Sequence, residues 1–155
     1  VSHADLGVKV DLDEPDVEIS VEVRERVAYL FSASLAGPGG MPLGTQGRVL
    51  CDLPSERGIA SAWLMMKRGC SVLIMCDDDK VVAPLRNWYP NLKSMDRRED
   101  LFAAAADNQC IGIALPLGLE DMGRARPPKG DLPVFHPLVG MNEEEIMGLL
   151  ARIRA

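Results

Sequence analysis

Apolar and polar residues alternate strictly over Val17-Glu-Ile-Ser-Val-Glu-Val23, with Val17, Ile19, Val21 and Val23 on one face and Glu18, Ser20 and Glu22 on the other. A period of two predicts a half-buried antiparallel strand. Glu25-Arg26 reads as a turn and Val27 to Ser32 as the returning strand of a hairpin. Such a hairpin is not stable alone in water, so further strands or a helix must cover its apolar face. Residues 1 to 16 carry no period and include the acidic turn Asp11-Leu-Asp-Glu-Pro-Asp16.

Gly37-Pro-Gly-Gly-Met-Pro-Leu-Gly44 is mostly Gly and Pro, which excludes a helix or central strand and predicts a linker at a domain boundary. From Gly47 the pattern changes to short apolar runs separated by helical stretches. Arg48 to Cys51 reads as a buried strand, and Ile59 to Arg68 as a helix with Ile59, Trp63 and Met66 on one stripe and Gly69 as its stop. Ser71 to Cys76 is a second strand, and Asp77-Asp-Asp79 caps a helix over Lys80 to Asn87. Leu92 to Met95 reads as a third strand, with Asp96 capping an Ala-rich helix from Arg97 to Ala106. Cys110 to Leu115 and Pro133 to Phe135 supply a fourth and a fifth strand. Asn142 caps a last helix, Glu143 to Arg154, with Ile146, Leu149, Leu150 and Ile153 on one side and three glutamates in the first turn, where the dipole favours them.

Strands separated by helices imply right-handed crossovers. The predicted class is α/β: a Rossmann-like parallel sheet of about five strands flanked by helices, with an N-terminal antiparallel β-hairpin appended. A ligand belongs at the carboxyl ends of the strands. That edge gathers the loop from Asp52 to Gly58, the run Asp77 to Asp79, and Pro116 to Gly123. The strand, loop and helix from Gly47 to Cys70 are the central unit, because a helix N-terminus after a strand presents free N–H groups and a positive dipole end to an anion.

At 155 residues, the chain has room for one domain and an appendage. Net charge is −6 and the basic residues are scattered, with Lys67-Arg68 and Arg97-Arg98 the adjacent pairs. Autonomous RNA binding is disfavoured by that balance, although a local basic patch is compatible with it. No apolar run is long enough to span a bilayer and no secretory signal opens the chain, so a cytoplasmic protein away from membranes is expected. The first residue is Val rather than Met, which predicts a processed product or a piece of a longer protein. Cys51, Cys70, Cys76 and Cys110 form no C-x-x-C pair and read as reduced, structural thiols.

Several blocks carry a resemblance. Val10-Asp-Leu and Pro15 to Val23, followed by Gly37 to Gly47, are similar to the end of a THUMP domain running into a PP-loop domain. Ala62-Trp-Leu-Met-Met-Lys-Arg-Gly69 and Leu132 to Ile146 continue it, His136 standing where Arg is usual. The arrangement resembles the tRNA 4-thiouridine synthetase family, which also serves thiamine biosynthesis. It implies a partial THUMP-like segment over 1–36, a Gly/Pro linker over 37–47 and a PP-loop-like α/β domain over 48–155. Members of that family adenylate a tRNA uridine with ATP and then replace the activated oxygen with sulfur.

Their ATP loop is Ser-Gly-Gly-Ile-Asp-Ser. Aligned without a gap from Trp63, those positions here are Leu53, Pro54, Ser55, Glu56, Arg57 and Gly58, none of them the family residue; a register shifted by a residue or more pairs Ser55 or Gly58 with family positions but leaves no acid in place. Pro54 removes a backbone donor, Glu56 adds a negative charge facing a triphosphate, and Arg57 reverses the charge of the loop acid. The sulfur-handling cysteines have no counterpart, the stretch from Asp77 to Asn108 is short, the N-terminal half of the THUMP domain is missing, and Gly118 to Gly123 only faintly echoes a Gly-rich family loop.

Pro54, Ser55, Glu56, Arg57, Gly58 and Gly118 are therefore the candidate degenerate nucleotide or anion site, set against an ordinary strand-to-helix turn. Asp52 with Asp77, Asp78 and Asp79 offers hard oxygen ligands for Mg²⁺, set against simple helix capping, and no metal is assigned. His136 has no nucleophile to serve and reads as structural; the other histidine is His3. The residues themselves assign no cofactor and no catalytic group; ATP is the cofactor the resemblance implies. Three functions follow: an adenylation-inactive relative acting as a binding or accessory protein in tRNA modification or sulfur transfer; an ATP-dependent enzyme adenylating tRNA through a modified loop; and a structural dimerisation module. Partners in the first are tRNA, engaged with a partner protein or the missing THUMP half, and a second copy paired through residues 17–32.

Overall fold

The computed structural model of the protein describes residues 10–122 and 130–155; the first nine residues of the irregular opening, with His3, and also Gly123 lie outside the described residues. Backbone contacts divide the chain into Val1–Gly37 and Pro38–Ala155.

In the first unit, β1 (Ser20–Arg24) pairs antiparallel with β2 (Val27–Phe31), from Ser20 opposite Phe31 to Arg24 opposite Val27. Glu25 takes the turn with φ of 49°. The strand starts three residues later than the alternation predicts, because β2 ends opposite Ser20 and leaves Val17 to Ile19 without a ladder partner. The expected half-burial is also corrected: Val21, Val23, Tyr29, Leu30 and Phe31 are all exposed. Two strands of five residues expose both faces, and no third described element of this unit covers either.

The second unit is built on a parallel sheet of five strands in the order β5-β4-β3-β6-β7, matching the predicted α/β class. The strands are β3 (Arg48–Asp52), β4 (Ser71–Cys76), β5 (Lys93–Asp96), β6 (Gly112–Ala114) and β7 (Val134–Phe135). β3 is central, and its Val49, Leu50 and Cys51 are fully buried, as both faces of a parallel sheet require. Alternate strand residues feed two cores. Val49, Cys51, Val72 and Ile74 meet α1 (Glu56–Lys67), α2 (Ala83–Arg86) and α5 (Glu143–Arg154); Leu50, Leu73, Met75 and Ile113 meet the small residues Ala104 and Ala105 of α3 (Leu101–Asp107). Each fully buried Leu or Ile contributes ~1.5–3 kcal/mol of transfer free energy, so these cores dominate the unit's stability.

Several boundaries differ from the sequence reading: the helix expected over Lys80 to Asn87 is a 3-10 turn, Asp79–Val82, capped by Asp78 and continued by α2, the strand expected over Cys110 to Leu115 shortens to Gly112–Ala114, and that over Leu92 to Met95 shifts to Lys93–Asp96. α1 starts at Glu56, not Ile59. α3 starts at Leu101, not Arg97, because Asp96 completes β5 opposite Cys76 and the capping falls to Asp100, which accepts from the N–H groups of Phe102 and Ala103. A short α4 (Leu119–Met122) was not foreseen. The Gly/Pro stretch from Pro38 packs with the second unit as a cap on the C-terminus of α1. Met41 N–H donates to the Lys67 carbonyl at 2.9 Å and Gln46 N–H to that of Gly69 at 3.0 Å. Gly40 lies so close that a Cβ would sit 2.2 Å from the Lys67 oxygen, and Gly69 ends the helix with φ of +85°.

Candidate functional site

The chain order reverses direction between β3 and β6, so the crevice at their carboxyl ends is the expected ligand position. Leu53 N–H still donates to the Met75 carbonyl at 2.9 Å, holding the loop against β4. Ser55 follows as an extended N-cap whose side chain makes no capping bond. Glu56, Arg57 and Gly58 are then the first turn of α1, not a loop around a ligand. Gly58 is packed against the strand end: a Cβ there would lie 2.8 Å from Leu53 Cα and 3.0 Å from the Asp52 carbonyl oxygen. Its N–H already donates to the Ser55 carbonyl at 2.9 Å.

Glu56 and Arg57 are both tied to α5, at opposite ends of it. Arg154 in its last turn donates to Glu56 at 2.6 Å, and Glu143 in its first turn accepts from Arg57 at 2.7 Å. A 12-residue helix is roughly 18 Å long, so α5 spans the N-terminus of α1 with an ion pair at each end. The polarity suits its dipole, with the acid at its positive end and the base at its negative end. The Asn142–Glu145 capping box fixes its start, and Ile146, Leu149, Leu150 and Ile153 anchor it in the core.

Gly118 stands beside the same arginine. A Cβ on it would come within 2.6 Å of Arg57 Nη2, and its N–H donates to Asp121 Oδ2 at 2.9 Å. Asp121 is in turn 4.0 Å from Arg57 Nη2. Arg57 Nε is buried with no hydrogen-bond partner among the described residues. The six candidate residues thus separate. Pro54, Ser55 and Glu56 line a cavity of about 490 Å³ with Asp77, Asp78, Lys80 and Arg154. Arg57 and Gly118 line another of about 540 Å³ beside the start of α5. Gly58 is buried between α1 and β3.

Asp52, Asp77, Asp78 and Asp79 at this edge are each committed. Arg97, just after β5, bridges Asp52 at 2.7 Å and Asp77 at 3.0 Å. Asp78 accepts from Lys80 N–H at 2.9 Å as an N-cap. Asp79 takes both terminal nitrogens of Arg86 at 2.7 Å, with the Ser94 hydroxyl donating to the same carboxylate. These two partners, Arg86 first, hold its carboxyl down to a pKa of about 2. Among the described residues, no group of three His, Cys, Asp or Glu is placed to hold a metal ion.

All four cysteines are free and buried. Burial pushes the thiols of Cys51, Cys70, Cys76 and Cys110 up, so they are protonated near neutral pH and poor nucleophiles. His136 follows β7 and lines a cavity of about 560 Å³ with Gln46, Met65, Arg68, Cys70 and Phe135. Its Nδ1 is buried without a partner among the described residues. Sequence reasoning missed Arg86, Arg97, Glu143 and Arg154. Only the Asp79–Arg86 spacing, one helical face two turns apart, could have suggested a pair.

Similarity to known proteins agrees with this frame. The THUMP domain family matches residues 2–33. A probable tRNA sulfurtransferase of Methanothermobacter thermautotrophicus is 45% identical over 201 residues, covering 96% of this chain and 51% of that protein. The tRNA sulfurtransferase of Pyrobaculum aerophilum is 30% identical, over 91% of this chain and 39% of its own length. The chain spans about half or less of the length of these curated relatives. The first alignment is longer than the chain's 155 residues, so that relative carries internal residues with no counterpart here. Among solved structures, PH1313 from Pyrococcus horikoshii superposes with a TM-score of 0.61 at 26% identity, covering 94% of this chain and 53% of that one.

Proposed function

We propose that this relative of the tRNA thiolation family has given up adenylation and serves tRNA modification or sulfur transfer as a binding or accessory protein. One observation carries the reading: the residues at the family's ATP-loop positions are spent on the protein's own packing. Glu56 and Arg57 are bound to Arg154 and Glu143, Pro54 has no N–H to give, and Gly58 is closed against β3. A triphosphate would have to break both ion pairs and displace Glu56, a carboxylate, from the dipole end it would itself need. The protonated thiols add support, since none is activated to carry sulfur.

Isothermal titration of the chain with ATP and Mg²⁺ tests this: no saturable heat is expected, and micromolar binding overturns it. Such binding would instead favour an ATP-dependent enzyme that adenylates tRNA or a related acceptor through a modified nucleotide loop. The cavity of about 490 Å³ beside Pro54 to Glu56 is large enough to hold a nucleoside and is the observation on that side. The THUMP match supports tRNA as partner, with the rest of that domain or another protein supplying further contacts. In this reading 1–36 is the THUMP-like segment, 37–47 the connection and 48–155 the PP-loop-like domain of a cytoplasmic protein. No helix among the described residues is long and apolar enough to cross a membrane. The exposed hairpin favours pairing with a second copy through residues 17–32. Light scattering at micromolar concentration checks that pairing, and a monomer rejects it.

A further inference from the structure

Charge in the sheet domain is sorted between the two edges of the sheet. At the carboxyl edge lie Asp52, Asp77, Asp78, Asp79, Asp96 and Asp121 with Glu56; Arg57, Arg86, Arg97 and Arg154 are consumed by carboxylates, and Lys80 stands among the acids without an ion pair of its own among the described residues. At the amino edge the balance is opposite. Arg48 opens β3, Lys93 opens β5, and Lys67 and Arg68 end α1 just before β4. None of these four makes an ion pair among the described residues, and Arg48, Arg68 and Lys93 are exposed. Acids on this edge are few: Asp107, paired with Arg98 at 2.9 Å, and Asp131.

Lys67 and Arg68 suit the negative end of the α1 dipole, so helix capping accounts for them. It does not account for Arg48 and Lys93, which start strands. Those two face one recess of about 130 Å³ with Ser71, Tyr89, Asn91 and Asn108, where Arg48 donates to the Asn108 carbonyl at 3.2 Å. Arg68 edges the larger cavity that holds the partnerless Nδ1 of His136 and the half-buried ring of Phe135. Unpaired guanidinium and ammonium groups beside neutral hydrogen-bonding side chains and an aromatic ring match the backbone and bases of RNA.

We propose that the amino edge of the sheet, through Arg48, Lys67, Arg68 and Lys93, is an RNA-docking face, and that RNA approaches the domain opposite the edge its relatives' resemblance would assign to nucleotide chemistry. The proposal rests on the tRNA-modification reading for the identity of the polyanion. The acidic carboxyl edge repels a phosphodiester chain, while the amino edge offers cations engaged in no ion pair among the described residues, Arg48 giving up at most its bond to the neutral Asn108 carbonyl. A chain with net charge −6 can therefore still bind RNA through this face.

The test is fluorescence anisotropy of an unmodified tRNA transcript against the full chain over a series of KCl concentrations. Each of Arg48→Ala, Arg68→Ala and Lys93→Ala should reduce the slope of log affinity on log salt by about 0.7–0.9. The triple variant should lose on the order of 10²-fold in affinity at low salt, since three phosphate contacts go together. Arg152→Ala, on the exposed side of α5, should bind like the parent, and circular dichroism confirms that each variant is folded. Wild-type slope and affinity in the triple variant, with RNA bound by another surface, overturn the docking face and leave the tRNA reading standing. Failure of the parent chain to bind tRNA at low salt also overturns the docking face, and leaves standing a tRNA reading in which a partner supplies the contacts. Polyglutamate binding as tightly as tRNA at equal charge overturns RNA as the occupant.

Discussion

Gly58→Ala separates a glycine kept for a ligand from one kept for packing. Gly58 lies in the first turn of α1 with an ordinary negative φ, so alanine should gain about 1 kcal/mol of helix propensity if nothing else changed. Something else does change. The new Cβ would stand 2.8 Å from Leu53 Cα and 3.0 Å from the Asp52 carbonyl oxygen, well inside ordinary contact. Leu53 Cγ, also at 2.8 Å, belongs to a side chain that can rotate, but the two backbone atoms are held by the β3–β4 ladder and cannot. The start of α1 must lift from the sheet, loosening Ile59 and Trp63 in the core behind it. Overpacking of this kind costs ~1–3 kcal/mol, so once the propensity gain of about 1 kcal/mol is taken off, the net loss is up to about 2 kcal/mol. Urea unfolding followed by circular dichroism reads it as a lower midpoint at unchanged slope. A variant more stable than the parent would show that the glycine is not there for packing and would revive a ligand-approach role.

Two further predictions follow from the ion pairs. Glu56→Gln and Arg154→Gln should each cost less than about 1 kcal/mol, because both groups are largely exposed and screened, and their double-mutant cycle should shrink further in high salt. A coupling above ~2 kcal/mol would mean α5 is held by its charges and not by its apolar stripe. Asp79 has its carboxyl lowered to about 2 by Arg86 and Ser94, against an unfolded value of 3.8. Its stabilising contribution is therefore complete above the unfolded value and lost as pH falls from there towards 2. Asp79→Asn should flatten that acid limb in a pH series of urea melts, and an unchanged limb refutes the assignment.

The alternation of short apolar runs with helical stretches is enough to place the sheet, because burial on both faces demands near-continuous apolar strands. β4 at Ser71–Cys76 and α5 at Glu143–Arg154 match the sequence reading residue for residue. Asn142 is legible as a cap because its partner, Glu145, is three residues away. Local rules stop where two signals compete. Asp96 and Asp100 are both able to cap a helix, and only pairing of Asp96 into β5 decides for Asp100.

What the chain alone determined is thus the order of the main elements and the cap of α5. Tertiary structure decided what the residues between β3 and α1 do. Glu56 meets Arg154 across 98 positions of sequence, Arg97 reaches back 45 to Asp52, and Gly58 is pressed against a strand it follows by six residues. Ion pairing and steric fit act through space at a few ångströms, and no periodicity along the chain encodes which distant residues the fold brings that close. The same holds for the unpaired cations of the amino edge: scattered in sequence, they are gathered only because parallel strands all begin on one side.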